Sequence, residues 1–204
     1  MSYRFTGATP TRVTLSPTPV TINNRPWTLS GWTKMDNYNP GPFVGLSDST
    51  AQYDYIEIGP LYQSAEVNHT GTVVAKIFRG SATATASVSF SSVPARFTWF
   101  PFVLTLTADN RLGASIAGQT LLYTNLPAGT SNFNTFYAGT RLGTGQIWVM
   151  NGLISALAIH NGSWDQTLVN LHATGRNPGT IGSCMYYWPM AGNLVPEVGD
   201  SQLV

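Results

Sequence analysis

Between Trp148 and Asn193 the chain reads WVMNGLISALAIHNGSWDQTLVNLHATGRNP and then, past a short break, CMYYWPMAGN. This order predicts a strand, a short capped helix, a Gly-Pro stop and a final aromatic strand. Ser163 with Gln166 three residues on forms a capping box, which satisfies free amide donors at a helix start. Trp164, Leu168 and Leu171 fall at i, i+4 and i+7 and predict one apolar helix face. Gly175 then marks the helix end, and Pro178 bars a restart. A lone short helix set among strands has to dock on a β-structure.

The rest of the chain reads as strands. Its 20 glycines and 13 prolines are spread throughout and punctuate short extended runs, the pattern of a sandwich or barrel. Pro10, Pro17 and Pro19 predict an irregular, extended first segment. Asn24 to Lys34 predicts a strand with Trp27, Leu29 and Gly31 on one face, and DNYNPGP predicts a reversal. PFVGLS and YDYIEIG predict two more strands. In SATATASVSF, Ala82, Ala84, Ala86, Val88 and Phe90 alternate with Ser and Thr, predicting one buried and one wet face. TWFPFVLTLTADNRLGASIAGQTLLY predicts a meander turning at Asp109-Asn110 and at Ala117-Gly118. With 204 residues the chain suits one all-β domain. A Pro-rich arm over residues 1–24 and a tail over residues 193–204 flank it in this reading.

Charge narrows the chemistry. Charged residues make up only 9% of the chain and the net charge is +1, against about 25% charged residues in ordinary soluble domains. Little self-repulsion suits a protein that packs against neighbours. The basic residues are scattered singly, so nucleic-acid binding lacks its electrostatic footprint. No apolar run reaches membrane-span length. The N-terminal residues lack the apolar core of a secretory signal, so synthesis in a host cytoplasm is expected. Cys184 stands alone, which excludes an internal disulfide and a thiolate metal cluster.

Four segments together resemble concanavalin A-like, laminin G-like domains. PWTLSGWTK is similar to the family's FTISAWVK strand, and FTWFPFVLTLTADNRLGASIAGQ to its WHHVALTYDG…LYVDG meander. FYAGTRLG is similar to its iGgr strand, and NGLISALAIHNGSWDQTLVNLHATGRNP to its GLIDEVRIYNRALSAAEI…LY…G…P ending. The resemblance runs from Trp27 to Pro189 with the element order intact. It implies a two-sheet antiparallel jelly-roll sandwich with one short helix near the C-terminus. Ser155 and Ala156 stand where the family has acidic residues, and Phe100-Pro101 replaces the His pair after the aligned Trp99.

Some proteins of this fold hydrolyse glycosides, which requires two carboxyl groups flanking the scissile bond. Here Asp54 and Glu57 are the one strand pair, and their odd spacing predicts opposite faces, so no catalytic residue is assigned. His69, His160 and His172 share no ligand spacing. The family resemblance leaves calcium open, with Asp109-Asn110 and Asp200 as conceivable ligands, but no cofactor is assigned. The candidate ligand-binding residues are Trp32, Tyr53, Tyr55 and Glu57. Tyr53, Tyr55 and Glu57 share one strand face, and Trp32 shares its own with Thr28, Ser30 and Lys34. These aromatics either stack on a sugar ring or are covered by the helix, a loop or a neighbouring subunit.

Two non-catalytic functions follow as expectations. One is an outer accessory protein of a bacteriophage-like virion, a capsid decoration or fibre component working at the virion surface. Its arm and tail would then contact other subunits in a homo-oligomer. The other is a stand-alone lectin that binds host-surface glycans. Neither involves nucleic acid or membrane insertion.

Overall fold

A computed structural model of the protein describes residues 3–6, 13–16, 26–37, 41–48, 54–60, 72–129, 131, 133, 135–141, 148–189 and 202–203. The chain passes back and forth between two sheets. β1 (Tyr3–Thr6) joins the first sheet and β2 (Val13–Ser16) the second. β3 (Trp27–Met35) returns to the first, and β4 (Val44–Ser47), β5 (Asp54–Pro60), β6 (Val73–Arg79) and β7 (Thr85–Phe90) build the second. β8 (Trp99–Leu106), β9 (Arg111–Ile116) and β10 (Leu122–Asn125) extend the first, and β11 (Thr135–Ala138) crosses back. β12 (Thr140–Arg141) and β13 (Trp148–Val149) pair with each other. β14 (Asn151–Asn161) re-enters the first sheet, α1 (Gln166–Ala173) follows, and β15 (Ser183–Trp188) rejoins that sheet. β16 (Gln202–Leu203) edges the second.

The first sheet runs β1-β14-β3-β8-β9-β10, with β15 also on β14; the second runs β16-β2-β11-β4-β5-β6-β7. All these pairings are antiparallel. Alternation then sorts the side chains, because neighbours on a strand face opposite ways. Leu29, Phe102 and Leu104 from the first sheet meet Leu46, Ile56 and Ile77 from the second in one core, each fully or almost fully buried. This is the two-sheet antiparallel sandwich with a single short helix that the sequence predicts.

Within the segments read as arm and tail, residues 3–6, 13–16 and 202–203 are strands of the sheets. Tyr3 pairs with Ile154, Val13 with Ala138, and Gln202 with Ser16. Pro10, Pro17 and Pro19, which suggested irregularity, lie outside the described residues. β7 is also shorter than the alternating run. The Ser81 hydroxyl accepts the Ala84 amide at 3.1 Å, and the Arg79 amide donates to the Ala84 carbonyl at 3.0 Å. Ala82 and Ala84 thereby belong to the bend that closes the β6–β7 hairpin, since a local side-chain bond competes with the ladder.

β14 carries the most connections. Its first half pairs with β1 and its second half with β15 along one edge, while β3 occupies the other. A bulge lies between the halves: Ser155 opposes Trp32 and Ala158 opposes Ser30, so β14 has one residue more than β3. Ala156, inside the bulge, has φ +52°. Such an extra residue turns a strand locally, here at the handover from β1 to β15.

The helix departs from its sequence reading at both ends. Its N-cap is Asp165, whose Oδ1 accepts the Leu168 amide at 3.0 Å, and not Ser163. The cause is upstream. The Trp164 amide donates to the Thr28 hydroxyl oxygen at 3.0 Å, and that hydroxyl donates to the Gly162 carbonyl at 2.9 Å. These bonds hold Trp164 against the sheet before the helix begins. Val169 and His172 are the buried helical residues, with Leu168 and Leu171 half-buried beside them. Gly175 does end the helix, at φ +90°. Pro178 opens a 3-10 turn over Pro178–Thr180, since its fixed φ suits a first helical position.

Under α1 lie two fully buried imidazoles. His172 Nε2 donates to the Gly31 carbonyl across 3.1 Å, and His160 Nε2 lies 2.9 Å from the Ser30 hydroxyl. The Trp164 ring packs against both, with centroids at 4.5 Å and 5.6 Å. Burial pushes His160 down to about 3, and the neighbouring His172 pushes the same way. Burial lowers His172 as well.

Two expectations follow. An imidazole with a depressed pKa stabilises the fold fully above its unfolded value near 6.5, and that stability falls as pH drops through the window down to about 3. Urea unfolding is expected to show a plateau above pH 7 and a decline below 6.5, at up to about 1.4 kcal/mol per pH unit for each histidine; a His160→Gln variant should flatten it. Asp165→Ala is expected to cost about 1 kcal/mol and Ser163→Ala far less, as measured by thermal unfolding.

Candidate functional site

The outward face of the second sheet holds the densest group of functional side chains. Strand register sets it out in two rungs. One rung passes Tyr137, Gly45, Glu57, Lys76 and Ser87; the next passes Thr135, Ser47, Tyr55, Phe78 and Thr85. Five strands thus present side chains of one parity on one face.

Gly45 makes the first rung work. A Cβ there would lie 2.6 Å from the Ile56 carbonyl oxygen, and closer still to the Tyr137 ring and hydroxyl. The missing side chain leaves Tyr137 room to lie across β4 and donate its hydroxyl to Glu57 Oε2 at 2.9 Å. Lys76 Nζ holds the other carboxylate oxygen at 3.1 Å. On the second rung Tyr55 and Phe78 stack, with centroids 4.7 Å apart and planes inclined by 25°. Glu57 is 6% exposed, Tyr55 7% and Tyr137 3%. The surface offered outward is therefore half-buried Lys76 and Phe78 with exposed Thr85, Ser87 and Ser89 on β7. This surface carries one cation, one aromatic ring and three hydroxyls, backed by a fixed carboxylate. It can hydrogen-bond hydroxyl groups and pack against a flat apolar ring face.

The four residues singled out from sequence do not form one site. Tyr55 and Glu57 share a face, as their spacing requires, but both are buried and support their neighbours. Trp32 lies on the outer face of the other sheet, where its ring meets His172 of α1 at 5.6 Å. Tyr53 lies outside the described residues. Tyr137, Lys76 and Phe78 escaped the sequence reading. Lys76 and Phe78 alternate with buried Ala75 and Ile77, a period-2 signal within VVAKIFR that would have placed them beside Glu57.

Other candidate chemistry resolves as local structure. Asp54 alternates to the face opposite Glu57, so the two carboxyls do not converge. Asp109 Oδ2 lies 2.8 Å from Arg111 Nε, and a hydrogen bond with Thr107 holds its carboxyl below the usual range. Asn110 takes φ +61° at that turn. Among the described residues no three His, Cys, Asp or Glu side chains gather as a metal site would require; Asp200 lies outside them. Burial raises the Cys184 thiol to about 11, which keeps it protonated at neutral pH.

Gly45→Ala is expected to force Tyr137 off Glu57 and to cost about 1–3 kcal/mol in urea unfolding, the range for overpacking. Tyr137→Phe, which removes only the hydroxyl, should cost about 1–3 kcal/mol by leaving the carboxylate short of a donor.

No protein-family model matches the chain, and no curated protein matches it. Solved structures do. A native heptameric SAP-like pentraxin from Limulus polyphemus aligns over 98% of this chain and 92% of its own, at 14% identity and TM-score 0.65. The carbohydrate-binding module CBM40 of a Ruminococcus gnavus sialidase, bound to α2,3-sialyllactose, aligns over 84% of this chain and 96% of its own, at 7% identity and TM-score 0.62. Mouse laminin α1 domains LG4-5 align over 78% of this chain, which spans 40% of that one, at 11% identity and TM-score 0.58. At these identities the likeness is one of architecture: the chain has the concanavalin A-like jelly-roll fold that its four sequence segments implied.

Proposed function

We propose that the protein is a non-catalytic carbohydrate-binding module whose ligand lies over β6 and β7 on the outer face of the second sheet. The observation that carries this reading is the Tyr137–Glu57–Lys76 network beside the stacked Tyr55–Phe78 pair. A buried carboxylate held from both sides fixes Lys76 in place, and a ring stacked from behind fixes Phe78. Preorganised polar and aromatic groups lose little entropy on binding, which suits weak, hydroxyl-rich ligands. The sialyllactose held by the CBM40 module with the same fold is in keeping with this reading.

A second reading is a structural subunit, such as a capsid decoration or fibre protein on a phage-like virion surface. It is favoured by the charge content of 9%, which leaves little repulsion between copies.

A glycan array followed by calorimetric titration separates the two. The binding module should retain at least one neutral or sialylated oligosaccharide with Kd about 1 mM or tighter. Phe78→Ala and Lys76→Ala should each weaken it at least about tenfold, a loss of about 1.4 kcal/mol. Phe78→Ala should leave Tm little changed, whereas Lys76→Ala should also lower it because the buried Glu57 carboxylate loses its cation. An empty array together with a stable oligomer in light scattering would remove the lectin and favour the structural subunit.

A further inference from the structure

The basic residues look scattered along the chain, yet folding gathers three of them at one end of the first sheet. On its outer face, register lines up Arg4, Leu153, Lys34 and Trp99 across β1, β14, β3 and β8. The turn before β8 adds Arg96 and Phe97, with the Phe97 amide bonded to the Met35 carbonyl at 2.8 Å. Phe97 is 63% exposed and Trp99 38%, two of the four exposed large hydrophobic residues among those described. Lys34 Nζ lies 5.9 Å from the centroid of Trp99, and the Arg96 guanidinium 6.0 Å from that of Phe97. Arg4 is neutralised by Asp36 at 2.5 Å, but neither Lys34 nor Arg96 makes an ion pair among the described residues.

Phe97 also takes φ +67°. A bulky non-glycine residue in the left-handed region costs energy and persists only where its surroundings impose it. An exposed ring returns nothing to the core, so folding alone would favour glycine there. The strain is explained if the ring serves something outside the chain.

From this geometry we propose that the end patch of Lys34, Arg96, Phe97 and Trp99 is a docking surface for an acidic polysaccharide, one bearing carboxylate or sulfate groups. Trp99 offers a partly open ring face to a sugar, and Lys34, one strand away, meets the sugar's anionic substituent. An anionic membrane fits less well, because cations flank both rings and leave little contiguous apolar surface to bury. The surface is separate from the site on the second sheet, so either assignment can fail alone.

The test is native electrophoresis through gels containing heparin, polysialic acid or neutral dextran, with flotation on vesicles containing phosphatidylserine as a parallel arm. Retardation by at least one acidic polymer is expected, none by dextran, and the retardation should fade with added salt. Lys34→Ala with Arg96→Ala, and Trp99→Ala alone, should each weaken it at least tenfold, while Arg176→Ala, at an exposed position after α1 and outside the patch, should not. Phe97→Gly gives the sharpest separation: binding should fall while thermal stability holds or rises, because the strain is relieved. Failure of both acidic polymers to retard the protein would overturn the proposal. So would retardation that Arg176→Ala reduces as much as the patch variants, or vesicle binding that depends on Phe97 without polymer binding.

Discussion

Four strands of the second sheet, β11, β4, β5 and β6, must pair in one register for Tyr137, Glu57 and Lys76 to meet. Side chains on a strand have period two, so a slip of one residue in β5 would turn Glu57 into the core and Ile56 and Ile58 out to solvent. Burying an unpaired carboxylate is costly, and so is exposing two isoleucines. The apolar core therefore enforces the register that also assembles the polar rungs. Gly45 sharpens this dependence: the Tyr137 ring from the neighbouring strand occupies the space a side chain would fill there.

The first sheet solves a different problem. Its outer face is polar in sequence, with Thr28, Ser30, Thr105 and Ser115 all buried. Each of these hydroxyls has a partner: Gly162, His160, Trp27 and Gln119 respectively. The helix and the segment leading into it cover this face through hydrogen bonds as much as through apolar contact, and the two histidines take part only as neutral rings. At one end of the same sheet exposed Phe97 and Trp99 collect with Lys34 and Arg96, which make no ion pair among the described residues. Among the described residues, one sheet thus carries a half sealed by the helix and a half with exposed rings.

How much of this could be read without coordinates depends on the range of the interaction. Alternation and helix signals are local, and the strands at Trp27–Met35 and Asn151–Asn161 and the existence of α1 were all legible. The shared face of Tyr55 and Glu57 was legible by counting. The capping residue was not, because Ser163 and Asp165 are both good caps and a hydroxyl on a remote strand chose between them. The pairing of Tyr3–Thr6 was hidden because its partner lies near the far end of the chain. Tyr137 beside Glu57, and Arg4 in line with Lys34, were invisible for the same reason: sequence shows which side chains face together on one strand, but not which strands are neighbours.

The double use of one edge of β14 has a kinetic side. β3 and β1 both pair with β14, which lies more than 100 residues further along the chain, whereas β8 on the other margin of β3 follows it much sooner. Contacts so distant along the chain form slowly, and open strand margins invite pairing with foreign chains meanwhile. Lys34 on β3 and Arg4 on β1 place a positive charge on each waiting strand, and like charges discourage nascent copies from zipping together there.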